Sequence, residues 1–197
     1  MTERIAILGW GSLLWDPHPF DGRHHGWDRD GPVIPIEFSR VSRKRKNALT
    51  LVIDPEHGVP TRVAYALGKH ESPEEAHREL MERERAAQTH EIGLLRRGSG
   101  DEPDPSQKAA AEIAAWAAEK EIDAVVWTNF PGDFHVRLGR KFSVAAAKEH
   151  LMGLSGAELE QAVTYIHRAP QFVRTPLRDA LREDPWFRRL REDLGLI

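Results

Sequence analysis

The chain has 197 residues, 40% of them hydrophobic and 30% charged, and a formal net charge of -3 at neutral pH. That length suits one domain with appendages and a real core, and that balance describes a folded protein rather than a disordered one. The charge gives no global pull toward nucleic acid or anionic membranes, and the absence of cysteine excludes disulfides, cysteine nucleophiles and thiolate metal sites.

The chain opens with Ile5-Ala6-Ile7-Leu8, which reads as a buried strand, and runs straight into Gly9-Trp10-Gly11-Ser12-Leu13-Leu14-Trp15. Glycines there permit a sharp turn and let another molecule approach the backbone N–H groups. The loop is either a tight turn or a small-molecule site on a rigid strand. It is not a nucleotide motif, because Leu14 stands where a dinucleotide fingerprint needs its third glycine, and no Gly-Lys-Ser/Thr follows.

Residues 16–35 are polar and turn-rich, with four prolines and His18, His24 and His25. Residues 33–42 and 48–53 read as strands, 54–58 as a turn, and 61–67 as the returning strand of an antiparallel meander. Ser72-Pro73-Glu74-Glu75 carries a cap, a proline suited to the first helical position, and a capping-box glutamate, so a helix is predicted from Pro73 to about Gln88. Residues 98–106 form a polar loop with two prolines, 108–120 an alanine-rich helix, and 122–127 a short buried strand. A helix over 144–151 follows, and a second capping box at Ser155-Gly156-Ala157-Glu158 opens another to about His167. Thr175-Pro176 and Asp184-Pro185 each cap a short closing helix. These elements divide into a core over 1–142 and a helical C-terminal extension over 143–197 packed on it.

On the helix from Pro73, the 3.6-residue period puts Ala76, Leu80, Met81 and Ala87 on the core face, and Glu84 falls inside that stripe. A carboxylate against a core is paired, bound to donors or partly protonated, and desolvation moves it toward the range a general acid/base needs. The structural alternative is a Glu84 that turns outward or pairs with Arg83, Arg62 or Arg40.

A strand ending in Gly-Ser-Leu, then a hairpin, then a helix carrying Arg83-Glu84 resembles the gamma-glutamylcyclotransferase superfamily, closest to its ChaC-type branch. Trp10-Gly11-Ser12-Leu13 and the following Trp15 are similar to that branch's opening Tyr-Gly-Ser-Leu and Trp. The segments Leu49-Thr50-Leu51-Val52-Ile53-Asp54-Pro55 and Arg62-Val63-Ala64-Tyr65-Ala66-Leu67 are similar to its second hairpin. The likeness covers about residues 5–90. Trp10 stands in place of the family's tyrosine, and Gln88-Thr89 stands where a Gly-Tyr usually follows the catalytic glutamate.

The resemblance implies an α+β fold, a small mixed β-barrel flanked by helices. It implies that Trp10, Gly11, Ser12 and Leu13 bind a small gamma-glutamyl substrate. Glu84 is implied as the general acid/base that cyclises it to 5-oxoproline, and glutathione is one such substrate. No cofactor or metal is needed, because the nucleophile belongs to the substrate. Two rivals stand beside this reading: a non-catalytic ligand-binding or regulatory module on the same scaffold, and an acyl or aminoacyl transferase using Glu84 with another nucleophile.

Arg40, Thr128 and Asn129 are further candidate substrate-binding residues, the last two at the end of the 122–127 strand, where they equally begin a turn. The cluster Arg40, Arg43, Lys44, Arg45 and Lys46 reads as a solvated loop or an attractor for an acidic substrate. With Phe38 alone nearby, the aromatic interleaving of a nucleic-acid platform is missing, and no nucleic-acid partner is expected. The ten histidines show no metal-ligand spacing, and His167 and Arg168 suit a helix C-terminus. No leader or bilayer-length apolar run is evident, so a cytoplasmic protein without a membrane partner is expected. Oligomeric state is not legible.

Overall fold

The computed structural model describes residues 3–18, 20, 23–98 and 106–196. Most of the polar loop expected over 98–106 therefore lies outside the described residues. The chain forms two compact units, Met1–Ile34 with Pro60–Phe130, and Pro35–Val59 with Pro131–Ile197. Both are discontinuous in the chain.

The elements in chain order are β1 (Ile5–Gly9), β2 (Val33–Ser42), β3 (Ala48–Ile53), β4 (Val59–Arg62), β5 (Ala64–Leu67), α1 (Pro73–Glu84), β6 (Ile92–Arg96), α2 (Ala110–Glu119), β7 (Ala124–Thr128), α3 (Phe134–Leu138), α4 (Val144–Met152), α5 (Gly156–Arg168), α6 (Pro176–Glu183) and α7 (Pro185–Asp193). The strands form a four-stranded sheet in the order β5-β1-β7-β6 and a three-stranded sheet in the order β3-β2-β4.

Neither sheet closes into a barrel, which corrects the architecture expected from the sequence. The stretch expected as one returning strand breaks at Val63 instead. Its N–H donates to the Pro32 carbonyl at 3.0 Å and its carbonyl accepts the Gly31 N–H at 3.0 Å. A Cβ on Gly31 would come within 2.5 Å of the Val63 oxygen, so only glycine permits that approach. The break sends β4 to one sheet and β5 to the other, leaving edges where a barrel would need pairing.

In the first unit β1 pairs antiparallel with β5 and parallel with β7, and β7 pairs antiparallel with β6. Every residue of β1 is buried, as a central strand covered on both faces requires. The two-residue period puts Ile5 and Ile7 of β1, Ala124 and Val126 of β7 and Ile92 of β6 into one apolar cluster with Ala76 and Leu80 of α1. Each fully buried aliphatic side chain there contributes about 1.5–3 kcal/mol.

In the second unit β2 and β3 form an antiparallel hairpin with a register shift between Glu37 and Arg40. The Tyr165 hydroxyl on α5 accepts the Leu51 N–H at 3.4 Å, and its ring meets Phe38 edge-on at 6.3 Å. The caps at Thr175 and Asp184 form as the sequence predicts, each accepting from a backbone N–H of the helix it opens, and Ser143 caps α4 in the same way. Ser155 also precedes its helix, but its side chain makes no cap. Glu158 accepts from the Asn47 amide at 3.1 Å rather than closing a box. Two elements carried no clear signal, β6 and the short α3, whose Asp133 accepts the Val41 N–H at 2.7 Å.

Candidate active site

The glycine loop is a tight 3-10 turn over Ser12–Leu14, closed by the Leu14 N–H on the Gly11 carbonyl at 3.0 Å and the Asp16 N–H on the Ser12 carbonyl at 2.8 Å. Such a turn directs the N–H groups of its first residues out of its N-terminal end. A Cβ on Gly9 would sit 2.8 Å from the Trp27 ring and 2.9 Å from Leu14, so glycine lets the strand end against both. Trp10, Ser12 and Leu13 are buried and Gly11 half-buried. Leu13 belongs to the apolar cluster beneath α1.

Helix α1 begins as predicted, with the Ser72 hydroxyl accepting the Glu75 N–H at 3.2 Å. The Glu75 carboxylate accepts instead from Glu71 N–H at 2.7 Å, and that bond, ahead of Arg23, holds the carboxyl below its ordinary range. The helix ends at Glu84, four residues earlier than the sequence suggests. Arg85 takes a left-handed conformation (φ 54°), its N–H donates to the Glu82 carbonyl, and the Ala86 N–H reaches back to Met81. This is a Schellman termination without the usual glycine.

The early stop changes which residue occupies the apolar stripe. Ala76, Leu80 and Arg83 are buried positions of the helix, while the Glu84 side chain keeps 16% of its exposure. The Arg83 stem covers apolar surface as its head reaches polar partners, a habit of long cationic side chains. Its Nη1 donates to the Glu84 carboxylate, and its Nη2 donates to the Asp16 carbonyl at 2.6 Å and lies 3.4 Å from the Ser12 hydroxyl. One guanidinium thus joins the end of the helix to the glycine loop. The pairing of Glu84 with Arg83, one of the structural alternatives, is realised.

A second charged group in this unit gave no sequence signal. His70, fully buried, meets Glu79 at 3.0 Å, and Arg23 bridges Glu79 at 3.4 Å and Glu75 at 2.6 Å. It ties residue 23 to α1 at the end opposite Glu84.

Asn129 is buried with its side chain committed to structure: it donates to the His90 and Ser106 carbonyls at 2.9 and 3.1 Å and accepts the Lys108 N–H at 3.0 Å. Thr128 closes β7 opposite Ile92. Arg40 lies in β2 within the second unit, its carbonyl accepting the Thr50 hydroxyl at 3.4 Å. In the adjoining basic cluster, Arg45 stacks over Tyr165 at 5.1 Å.

Among the described residues no group of three or more His, Asp or Glu side chains is placed to hold a metal ion, and no helix is long and apolar enough to cross a membrane. Neither family models nor curated proteins nor solved structures provide a match to the chain.

Proposed function

We propose that the chain is a gamma-glutamylcyclotransferase-like enzyme that cyclises a gamma-glutamyl peptide or amine to 5-oxoproline and releases the amine. The observation that carries the reading is the Arg83 guanidinium, which reaches both the Glu84 carboxylate and the Ser12 hydroxyl 71 positions away in sequence. The two parts of the motif that the resemblance assigns to one pocket are therefore within a single guanidinium's span. The reading takes the first unit as an open-sheeted variant of that superfamily's barrel, working in the cytoplasm.

In the reaction Glu84 takes a proton from the substrate's α-amino group. The amine attacks the γ-carbonyl carbon, the new C–N bond closes a five-membered lactam, and the γ-amide C–N bond breaks. Glu84 returns the proton to the departing nitrogen. Ring closure is intramolecular, so holding the substrate in a near-attack geometry supplies much of the acceleration. N–H groups of the Gly11–Leu13 loop stabilise the oxyanion, and Arg83 orients the carboxylate.

The test is incubation with glutathione and a panel of gamma-glutamyl amines, with 5-oxoproline as the readout. Turnover of at least one compound is expected, falling by about 10²–10⁴ in Glu84→Gln. No product from any of them, or full activity in that variant, rejects the reading. The second reading, a binding module, is favoured by the Arg83 Nη1 that already occupies the Glu84 carboxylate. Thermal stabilisation by a gamma-glutamyl compound without product would select it.

A further inference from the structure

The second unit holds a cavity of about 510 Å³ against α5, α6 and α7, and four arginines line it: Arg174, Arg178, Arg182 and Arg191. His167 completes the charged or titratable lining, and no carboxylate is among the described residues that line it. Ile166 and Phe187 also border it but are buried, so the exposed lining is mainly polar. Arg178 and Arg182 are four residues apart on α6 and so share a face, while Arg191 comes from α7.

These guanidiniums have different tasks. Arg178 donates to the carbonyls of Pro170 and Ala169, to that of Val173 at 2.8 Å and to that of His167 at 3.5 Å, so it caps the open end of α5. It is scaffold, and its charge is fixed at the cavity wall. Arg174 is exposed and shares its charge with Asp179 at 2.9 Å. The buried Nε of Arg191 has no hydrogen-bond partner.

The charges act on one another. Arg178 is lowered to about 10, first by burial and then by Arg182, Arg174 and Arg191 against the opposing pull of Asp179. Burial, then Arg191, Arg178 and Arg168, hold the His167 imidazole below its ordinary value. Such crowding costs stability unless something of opposite charge enters. Guanidinium forks match the oxygens of phosphate, which carries nearly two charges per group. The volume is that of a small-molecule site rather than of a single ion.

We infer that this cavity binds a small phosphorylated metabolite, its phosphate held by Arg174, Arg182 and Arg191. A nucleic-acid strand is the weaker fit, because the charge lines a concavity rather than a groove interleaved with stacking aromatics.

The test uses the full chain, titrated calorimetrically with inorganic pyrophosphate, a hexose monophosphate, a nucleoside monophosphate and a single-stranded oligonucleotide. At least one small phosphate should bind with a dissociation constant below about 1 mM. Affinity should fall at least about tenfold in Arg182→Gln/Arg191→Gln, which leaves the Arg178 cap intact. In the wild-type chain the His167 ring resonances should move on titration while those of His77, in the first unit, stay in place. This readout holds even if the double variant folds poorly. Absence of binding by every small phosphate, equal binding by a folded double variant, or an unmoved His167 ring would overturn the inference. Tighter binding of the oligonucleotide, lost in the same variant, would overturn the metabolite class as well.

Discussion

The two units bury charge in opposite ways. In the first, buried side chains meet carboxylates: Arg83 has Glu84, and His70 has Glu79. In the second, the buried Glu37 and the half-buried Arg178 rest on helix ends instead. Arg178 takes the carbonyls closing α5, where the helix dipole is negative. Glu37 of β2 takes the Phe38 N–H at 2.7 Å and is favoured by the Thr175 hydroxyl and the Leu177 N–H at the start of α6, where the dipole is positive. A side-chain pair is neutral, so its field dies away within the site. A dipole neutralises neither charge, and in the second unit four arginines line one cavity with no carboxylate among the described residues beside them in its lining.

The largest expected effect tests the paired half of this contrast. Arg83→Met strands a half-buried carboxylate and the Asp16 carbonyl, and should cost about 3–5 kcal/mol in urea unfolding. Adding Glu84→Gln should recover a substantial part of it; a double variant no better than the single one would break the comparison. Next comes Arg178→Met, which removes donors from the end of α5 and should cost about 3 kcal/mol. Here Asp179→Asn should recover nothing, since backbone carbonyls and not a carboxylate hold the cation.

Glu37 gives a smaller effect with a defined sign. Burial, ahead of its hydrogen bonds, pushes the carboxyl above its ordinary range, and Oε2 is buried without a partner. A folded value above the unfolded one means that the folded chain holds the proton longer. The stability Glu37 contributes is therefore fully present below the ordinary carboxylate pKa and lost as pH rises through the raised value. Glu37→Gln keeps an acceptor for Phe38 and never ionises. Its melting temperature should gain on the wild type by roughly a few degrees as pH rises from about 4 to 8. A constant difference would show that the carboxyl is not what titrates. The smallest effect is at Arg85, whose left-handed conformation costs up to about 1 kcal/mol in a residue with a Cβ. Arg85→Gly should raise the urea midpoint slightly and leave Arg83 and Glu84 in place.

Local chemistry made much of the fold legible. Strands at 33–42 and 48–53 match the structure residue for residue, because alternation and flanking turn residues act within a few positions. Ser-Pro, Thr-Pro and Asp-Pro located the starts of α1, α6 and α7 for the same reason. Stops were harder: α1 ends on a residue with no glycine or proline to announce it. The strand β6, Ile-Gly-Leu-Leu-Arg, is short and carries a glycine, and the reason for that glycine is remote. A Cβ on Gly93 would come within 2.1 Å of the Trp127 ring on β7. The site was half legible. Glu84 and the glycine loop stood out by position, whereas the burial of Arg83 depends on where the helix stops and on what the loop offers it.

By itself the sequence determined most of the strands and helices though not β6 or α3, that α1 sets Ala76 and Leu80 toward a core, and that no thiol chemistry operates. Those properties follow from contacts within a turn or two of the chain. Tertiary structure alone decided that the sheets stay open, that Arg83 rather than Glu84 fills the buried stripe, and that arginines from two helices converge on one cavity. Each of these depends on how distant segments share hydrogen-bond donors, carbonyls and charge, and periodicity along one segment carries no record of that.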